Sequence, residues 1–293
     1  MRGGEEGSSP LANAPPHPSR LRRATFSPKG EKERGAETSL LSPHEIPSAV
    51  LVSETFTSIQ GEGSLTGVPS WFCRLSGCNL RCTWCDTPYA SWNPEGKQRT
   101  VEQLVEEARA SGVQHAVLTG GEPMIFRDLA PLCAQLRGLG MHITVETAGT
   151  VWLDGLECDL ISISPKLANS TPIEDPRDTS GKWSLLHEER RLNLPVLARL
   201  LSSFPERQLK FVVSDPADLP EIDALLAELS AHEHPVSPPL SPPLRPAEVF
   251  LMPEGVTVPK PDKVRWVVDE CTRRGWRYAH RLHIELFGDT RGT

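Results

Sequence analysis

The sequence predicts an α/β protein built as a partial or modified (β/α) barrel of the TIM type. Predicted strands alternate with predicted helices of ten or more residues, which is the pattern of parallel β–α units. About six to eight such strands can be placed, enough for a barrel or part of one. The segments "LTGGEP", "VETAG", "SISPK" and "FLMPEG" each follow a predicted strand, and in such folds the carboxyl ends of the strands carry the chemistry.

The strands are predicted from β-branched or aromatic runs that end in turn residues. They cover residues 50–58, 70–77, 115–121, 141–149, 158–166, 209–214, 248–253 and 280–288.

The helices are predicted from apolar residues that recur on one face. The clearest is 100–112, where Thr100 stands as the N-cap and Gly112 as the terminator. Further helices are predicted at 127–140, near 184–203, at 218–230 and at 261–275.

Composition excludes several classes of protein. The chain has 293 residues, 31 Lys and Arg against 38 Asp and Glu, and a net charge of −7, which argues against a nucleic-acid surface. No apolar run reaches the roughly 20 residues of a membrane span, and the first residues lack the apolar region of a signal peptide. Seven cysteines without the spacing of a disulfide framework favour a reduced, cytoplasmic compartment.

Two segments interrupt the globular pattern. Residues 1–45 are rich in Pro, Ser, Gly and charge, and we expect a disordered tail because they offer too little apolar surface to bury. Residues 46–293 are then the catalytic domain. Within it, 232–246 carries repeated proline and predicts a semi-rigid surface insertion.

The segment "CNLRCTWCDT" (78–87) raises the central question of what three closely spaced cysteines bind. A structural zinc ion would want four ligands, usually as two Cys-x-x-Cys or Cys/His pairs, and no second pair exists. A loop with Cys78, Cys82 and Cys85 can instead supply three ligands of a cubane [4Fe–4S] cluster and leave one iron open.

The other cysteines are interpreted as structural. Cys133, Cys158 and Cys271 stand alone in predicted helix or strand and are typical of small buried side chains. Cys73 lies near the loop, but its orientation on a strand stays open.

A second motif follows at the end of the next predicted strand. In "LTGGEP" (118–123), two glycines let the backbone approach a ligand closely, and Glu122 offers a carboxylate for a cationic amine. Alone the motif is weak, but its position some 35 residues after the cysteine loop strengthens it.

The segment "FTSIQGEGSLTGVPSWFCRLSGCNLRCTWCDTPYA" (56–90), followed by "TGGEP", closely resembles the 7-carboxy-7-deazaguanine synthases of the radical S-adenosylmethionine superfamily. With "VETAGT", "SISPK" and "FLMPEG", the resemblance extends from about residue 50 to the end, outside the proline insertion.

The resemblance implies a radical barrel enzyme, a carbon–nitrogen lyase of queuosine and purine metabolism. Its substrate would be 6-carboxy-5,6,7,8-tetrahydropterin, contracted with loss of ammonia to 7-carboxy-7-deazaguanine. It would use a [4Fe–4S] cluster, S-adenosylmethionine as a regenerated cofactor and Mg²⁺. A flavodoxin- or ferredoxin-like electron donor and a homodimer are also implied, with no nucleic acid or membrane partner.

The resemblance also implies roles for individual residues. Those expected to bind substrate are Ile59, Gln60, Gly61, Glu62, Arg74 and Thr119. Those expected to bind the cofactor are Gly121, Glu122, Glu146, Thr147, Ser164, Pro165, Lys166, Met252, Pro253 and Glu254. Cys78, Cys82 and Cys85 would ligate the cluster, and Thr87 would place its hydroxyl on magnesium.

Several of these residues also admit simpler interpretations. Arg74 could be exposed on an edge strand, and Thr87 could only begin a turn. Ser164–Lys166 could merely end a strand, and Met252 could pack in the core.

The end of the chain departs from the family pattern. Whether Thr293 reaches the pterin is left open. His280 and His283 are interpreted as structural or surface histidines.

Two alternatives are carried forward. The first is a radical activase that acts on a partner protein, against which "SIQGEG" favours a small heterocycle. The second is a zinc-stabilised binding protein.

Overall fold

The computed structural model describes residues 49–231, 240 and 242–293. The predicted tail at 1–45 and most of the proline insertion lie outside these residues, so both stay predictions. Within the described part of the chain, no helix is both long enough and apolar enough to cross a membrane.

Nine strands form one sheet in the order β3-β1-β2-β4-β5-β6-β7-β8-β9. The strands are β1 Ala49–Ile59, β2 Pro69–Leu75, β3 Lys97–Thr100, β4 His115–Gly120, β5 His142–Thr147, β6 Leu160–Ile163, β7 Glu206–Val213, β8 Val249–Pro253 and β9 Arg277–Tyr278. From β2 to β9 every neighbouring pair is parallel, while β1 runs antiparallel to both β2 and β3. The sheet is therefore a partial barrel whose edge strands are β3 and β9, which confirms the predicted fold class.

Seven helices accompany the sheet in the described residues. They are α1 Val101–Ser111, α2 Leu129–Gly138, α3 Lys182–Arg190, α4 Leu194–Ser203, α5 Leu219–Ser230, α6 Pro261–Arg274 and α7 Leu282–Phe287. Crossover helices between successive parallel strands are what parallel β–α units require.

The strand side chains separate into two sets. On β7, Leu209, Phe211 and Val213 lie in the main hydrophobic core with the helices. Val212 on the other face packs in a small second cluster that includes Trp84. Because side chains alternate along a strand, one face of the sheet builds the core and the other faces inward.

Helix α1 begins and ends where the sequence predicts. The Thr100 hydroxyl accepts a hydrogen bond from the Gln103 backbone N–H at 3.3 Å, and the Gln103 side chain accepts from the Thr100 N–H at 3.0 Å. Gly112 then ends the helix in the left-handed conformation, with φ +72°.

The single helix predicted near 184–203 is wrong, because the structure has two helices, α3 and α4. Pro195 lies in the first turn of α4, where its missing N–H costs nothing, and Asn193 caps that turn by accepting from the Val196 N–H. Asn193 itself has a non-helical backbone, with φ −120° and ψ 85°, so the chain breaks there before α4 begins.

The strand predicted at 280–288 is also wrong, because residues 282–287 form helix α7. Alternating Leu282, Ile284 and Leu286 fit a strand, but only Ile284 is buried. The short strands β3 and β9 were not predicted.

The described end of the proline insertion contacts the body of the protein. Leu240 is buried against the main core, and Arg207 donates hydrogen bonds to the carbonyl oxygens of Pro242 and Pro243.

Replacing Thr100 by Ala removes the hydroxyl half of the α1 capping box. We expect the free energy of unfolding to fall by about 1 kcal/mol, measured by urea unfolding. Thr272→Ala is the control, because the Thr272 hydroxyl only bonds the Val268 carbonyl within α6. A change in the control of more than about 0.5 kcal/mol, or equal losses in both variants, would contradict the capping role.

Candidate active site

A cavity of about 600 Å³ opens on the inward face, at the carboxyl ends of the strands. Seven strands each contribute to its wall, through Ile59, Arg74, Thr119, Glu146, Ser162, Lys210 and Met252 among others. The wall is completed by the cysteine loop and by the last residues of the chain. Ligands of parallel α/β folds bind at this end of the sheet.

The cavity brings together most of the residues predicted from the sequence. Those in its wall are Ile59, Gln60, Gly61, Glu62, Arg74, Cys85, Thr87, Thr119, Gly121, Glu146, Thr147, Ser164, Lys166 and Met252. Six predicted residues lie outside the wall: Cys78, Cys82, Glu122, Pro165, Pro253 and Glu254. Pro253 and Glu254 line a neighbouring cavity of about 20 Å³ instead.

The cysteine loop connects β2 to β3 beside the cavity. The Cys85 sulfur lies 3.1 Å from the Ser91 hydroxyl, and the Cys78 sulfur accepts from the Leu80 N–H at 3.4 Å. Cys82 is buried, and its carbonyl oxygen accepts from the Trp92 indole. In the part of the chain that the structure describes, no three His, Cys, Asp or Glu side chains converge as a site for a metal ion. The prediction that this loop ligates a cluster therefore rests on the spacing of its three cysteines and on the chemistry of their thiols.

The thiols of the loop are close enough to interact electrostatically. Burial, together with the neighbouring Glu122 and Cys85, raises the pKa of Cys78 to about 12. Burial also raises the pKa of Cys82, and the Cys85 and Cys78 thiols add to that effect. Three thiolates in this place would need a compensating positive charge, which the irons of a cluster supply. The donor set therefore fits a cluster.

Helix α3 supports this loop from behind. The His187 ring, fully buried, accepts from the Arg81 N–H through Nδ1 at 3.1 Å and lies 2.9 Å from the Ser170 hydroxyl through Nε2. The Arg81 guanidinium lies 4.0 Å from the Trp183 ring centre and donates to the Cys78 carbonyl at 2.8 Å. The loop is thus fixed by polar contacts as well as by packing.

The glycine motif lies against the cysteine loop. A Cβ on Gly121 would come within 2.3 Å of the Gly77 carbonyl oxygen and 2.7 Å of the Cys78 Cβ, so no side chain fits there. The close approach explains the second glycine of "GGEP" and places the end of β4 directly beside the first cysteine.

Glu122 is fully buried and bound by protein groups. One carboxylate oxygen accepts from the Thr147 hydroxyl at 2.7 Å and the Met124 N–H at 3.1 Å, and the other accepts from the Ala148 N–H at 2.8 Å. Glu122 thereby ties the end of β4 to the end of β5. Its direct contact with a cofactor amine stays a prediction.

A polar network covers the cavity floor. Glu146 accepts from the Thr119 hydroxyl at 3.2 Å and from the Gln60 side-chain amide at 3.3 Å. The Lys210 ammonium lies 2.5 Å from a Glu62 carboxylate oxygen and 3.7 Å from one of Glu146. Glu146, predicted with the cofactor group, therefore contacts residues predicted to bind substrate.

Arg74 is neither on an edge strand nor free in solvent. It lies on β2, between β1 and β4, and donates to Glu54 at 2.7 Å. Glu54 also accepts from the Tyr89 hydroxyl at 3.0 Å and pairs with Arg291 at 3.2 Å. This carboxylate connects the substrate side of the cavity to the last residues of the chain.

Residues 288–293 contribute a wall of the cavity, and Thr293 is part of it. The Arg291 guanidinium stacks at 3.9 Å from the Tyr89 ring centre and pairs with Glu95. Thr293 therefore reaches the cavity, while its contact with a pterin stays open.

On the opposite side, Lys166 and Trp84 face each other. The Lys166 ammonium donates to the Ser164 hydroxyl at 2.9 Å and lies 5.5 Å from the Trp84 ring centre. Met252 packs near Trp84 in the inner cluster, so it is both buried and part of the cavity wall. A flat apolar group beside a cation and hydroxyls suits a nucleoside.

Sequence reasoning missed several charged or titratable residues of the cavity, including His283, Arg281 and Lys210. His283 was interpreted as structural or surface, but it lines the cavity, and its Nδ1 would lie 2.0 Å from a Cβ on Gly61. Arg281 lies 3.5 Å from both Glu62 and Asp86. Both were hidden by the wrong strand assignment. For Lys210 the sequence does contain a signal, because this charged residue lies between apolar residues of a predicted strand.

The remaining predictions about isolated residues are confirmed. Cys133, Cys158 and Cys271 are free and buried, and Cys73 points into the core with no exposed surface. His280 pairs with Glu285 at the surface.

Comparison with known proteins gives concordant relatives. The radical SAM superfamily matches residues 74–184. The chain is 46% identical to the 7-carboxy-7-deazaguanine synthase of Rhodopirellula baltica, across 84% of this chain and 90% of that protein. It is 42% identical to that of Halobacterium salinarum, across 82% and 91%. The crystal structure of QueE from Escherichia coli superposes with a TM-score of 0.56 at 25% identity, covering 80% of this chain and 95% of that one.

Lowering the pH should destabilise the protein through His187, the buried histidine that contacts the cysteine loop. Burial, helped by Arg191, lowers the pKa of His187 to about 4, against about 6.5 in an unfolded chain. Between these values the unfolded state binds the extra proton, so stability is lost as the pH falls. We expect about 2 kcal/mol of loss at pH 5 from this residue, measured by urea unfolding at pH 7.5 and pH 5.

His187→Gln, which can accept and donate without titrating, should reduce that pH dependence by the same amount. Part will persist, because burial also lowers the pKa of His115 to about 4. The control is His280→Gln, which should keep the full dependence. If His187→Gln and the control behave alike, His187 is not the group that responds.

Proposed function

The chain belongs to the 7-carboxy-7-deazaguanine synthases, lyases of the radical SAM superfamily, and from this membership we propose that it converts 6-carboxy-5,6,7,8-tetrahydropterin into 7-carboxy-7-deazaguanine with loss of ammonia. The observation that carries the proposal is the position of the "SIQGEG" residues and the cysteine loop on one cavity. A site for a small polar heterocycle thus adjoins a three-thiol loop.

Cys78, Cys82 and Cys85 would bind the [4Fe–4S] cluster. With S-adenosylmethionine bound, such a cluster would supply the reducing electron for radical chemistry at the C6 hydrogen of the pterin. The chain itself must bind both molecules, orient them and keep water out.

The cofactor would occupy the side of the cavity nearest the cysteines. Gly121 gives the backbone room beside the loop, and Thr147 with Ser164 offers hydroxyls. Lys166 and Met252 would flank the adenosine. Pro165, Pro253 and Glu254 would act from behind this wall, because they lie outside the main cavity.

The substrate would occupy the side formed by β1, β2 and β4. Gln60, Glu62 and Thr119 present acceptors and donors for the edge of a pterin ring, and Ile59 with Gly61 leaves a flat surface. Arg74 supplies a guanidinium, whose planar fork suits the substrate carboxylate. Residues 288–293 would cover the bound molecules and restrict water.

Thr87 would place a hydroxyl on Mg²⁺. It lines the cavity beside Asp86, and magnesium prefers oxygen ligands while keeping several waters. With few protein ligands, the substrate carboxylate and water would complete the coordination. An external flavodoxin- or ferredoxin-like donor and a homodimer stay predictions from the family.

The test is anaerobic incubation of the purified protein with the carboxypterin, S-adenosylmethionine, Mg²⁺ and a reductant. We expect a deazapurine product and about four irons per chain. Stoichiometric zinc without iron would favour the binding protein. Cofactor cleavage without product, stimulated by a partner protein, would favour the activase.

Replacing any one of Cys78, Cys82 or Cys85 by Ala should abolish turnover and lower the bound iron, because the cluster loses a ligand. The fold should persist, as judged by circular dichroism. Cys158→Ala is the matched control, since this buried thiol lies outside the loop and should keep its iron. Normal turnover in a loop variant would show that its thiol is not a ligand.

Thr87→Ala should weaken the response to Mg²⁺ without loss of iron. We expect the apparent affinity for Mg²⁺ in turnover to fall by about tenfold, equivalent to about 1.4 kcal/mol for a lost ligand. Thr87→Ser should restore it, and Thr179→Ala at an exposed position should leave it unchanged. Unchanged Mg²⁺ dependence in Thr87→Ala would exclude the hydroxyl as a ligand.

A further inference from the structure

Lys210 stands on the inward face of β7, inside the barrel. Its neighbours Leu209 and Phe211 point into the main core, while Lys210 lines the cavity. Only 4% of its side chain is exposed. A buried ammonium is costly unless it is paired, so its partners must account for its presence.

Its partners are two carboxylates that arrive from different parts of the fold. Glu62 follows β1 in the "QGEG" loop, and its carboxylate lies 2.5 Å from the Lys210 Nζ. Glu146 lies on β5 and approaches the same nitrogen at 3.7 Å. The two side chains are 15% and 23% exposed, so both carboxylates are largely removed from water.

Gln60 adds a second link between the two residues. Its amide NH₂ donates to the Glu146 carboxylate at 3.3 Å, and its carbonyl oxygen accepts from the Glu62 backbone N–H at 3.2 Å. Thr119 donates to the other oxygen of Glu146. Lys210 and Gln60 therefore connect the acids into one rigid unit at the cavity floor.

We propose that Lys210 is a positioning residue that holds Glu62 and Glu146 together as one acceptor site for the N–H groups of the substrate ring. This inference depends on the proposed function, because it assigns the acceptor site to a pterin. A reduced pterin carries several ring and amino N–H donors, and two oriented carboxylates match such an edge.

The charge balance around Glu62 gives the inference a pH signature. The charged or titratable groups that act on Glu62 are Lys210 on β7, and Arg281 and His283 near the end of the chain. Two further acids pair with these cations: Glu146 on β5 with Lys210, and Asp86 in the cysteine loop with Arg281. Burial alone would raise the pKa of Glu62, but Lys210, then Arg281 and His283, lower it well below its usual value.

Without Lys210, the three acids Glu62, Glu146 and Asp86 would share one permanent cation, Arg281. Burial would then favour proton uptake by Glu62, because the neutral acid needs no countercharge. The uncompensated carboxylates would also favour protonation of His283, against the burial that lowers the pKa of its ring. The Glu62 acceptor would be lost as the pH falls, whereas Glu62 of the native protein, whose pKa is lowered by its cations, stays ionised over the same range. Lys210 itself gains from the pair, since Glu146 and Glu62 outweigh burial and raise its pKa to about 12.

The experiment compares Lys210→Met, Lys210→Arg and the control Lys97→Met, at an exposed position on β3, as anaerobically purified holoenzymes. Iron content and circular dichroism establish that each variant is folded and loaded. The KM for the carboxypterin and kcat are then measured between pH 6 and pH 8.

We expect Lys210→Met to raise the KM by about tenfold at pH 8. The KM should increase further toward pH 6, with a smaller change in kcat. The KM of the native enzyme and of Lys97→Met should vary little, and Lys210→Arg should recover most of the affinity. A KM for Lys210→Met that is native-like or equally raised at every pH would overturn the inference.

If Lys210→Met does not fold, Lys210→Met combined with Glu62→Gln removes both charges and restores balance. This pair should fold and bind the carboxypterin weakly, with a KM that varies little between pH 6 and pH 8 because the titrating acid is gone. Tight, native-like binding by the pair would overturn the inference. Failure of the native enzyme to turn over the carboxypterin would instead refute the proposed function.

Discussion

Alternation along the parallel strands is the constraint from which the site follows. On β7 and β8, every second side chain is committed to the helix-covered core, and the remaining ones point inward. The inward positions can therefore carry groups that a core would reject, such as the Lys210 ammonium. Since the strands are parallel, their carboxyl ends meet at one edge, and polar residues distant in sequence converge there.

Local signals were sufficient for part of the fold. Helix α1 was predicted to the residue at both caps, because Thr100, Gln103 and Gly112 act within one turn of the helix ends. The cysteine loop could be recognised for the same reason, since all three thiols lie within eight residues. Such features need no knowledge of the tertiary structure.

Features set by tertiary packing could not be predicted in this way. The segment with Leu282, Ile284 and Leu286 alternates as a strand would, but the sheet offers it no partner and only Ile284 is buried. Once that segment was misassigned, the side of the chain on which His283 lies could not be known. Lys210 required knowledge that β7 has an inward face with acids opposite.

The last residues of the chain close the cavity in a different way from the strands. Strand β3 pairs with Ala49–Val52 of β1, and the Arg291 side chain contacts the next two residues of β1, Ser53 and Glu54. The hydrogen bonds between strands depend little on dissolved salt. Partly exposed ion pairs instead weaken as the salt concentration rises, because screening increases; the Debye length is already about 8 Å at physiological ionic strength. The ionic medium can therefore loosen this one wall while the β-sheet beneath it keeps its dimensions.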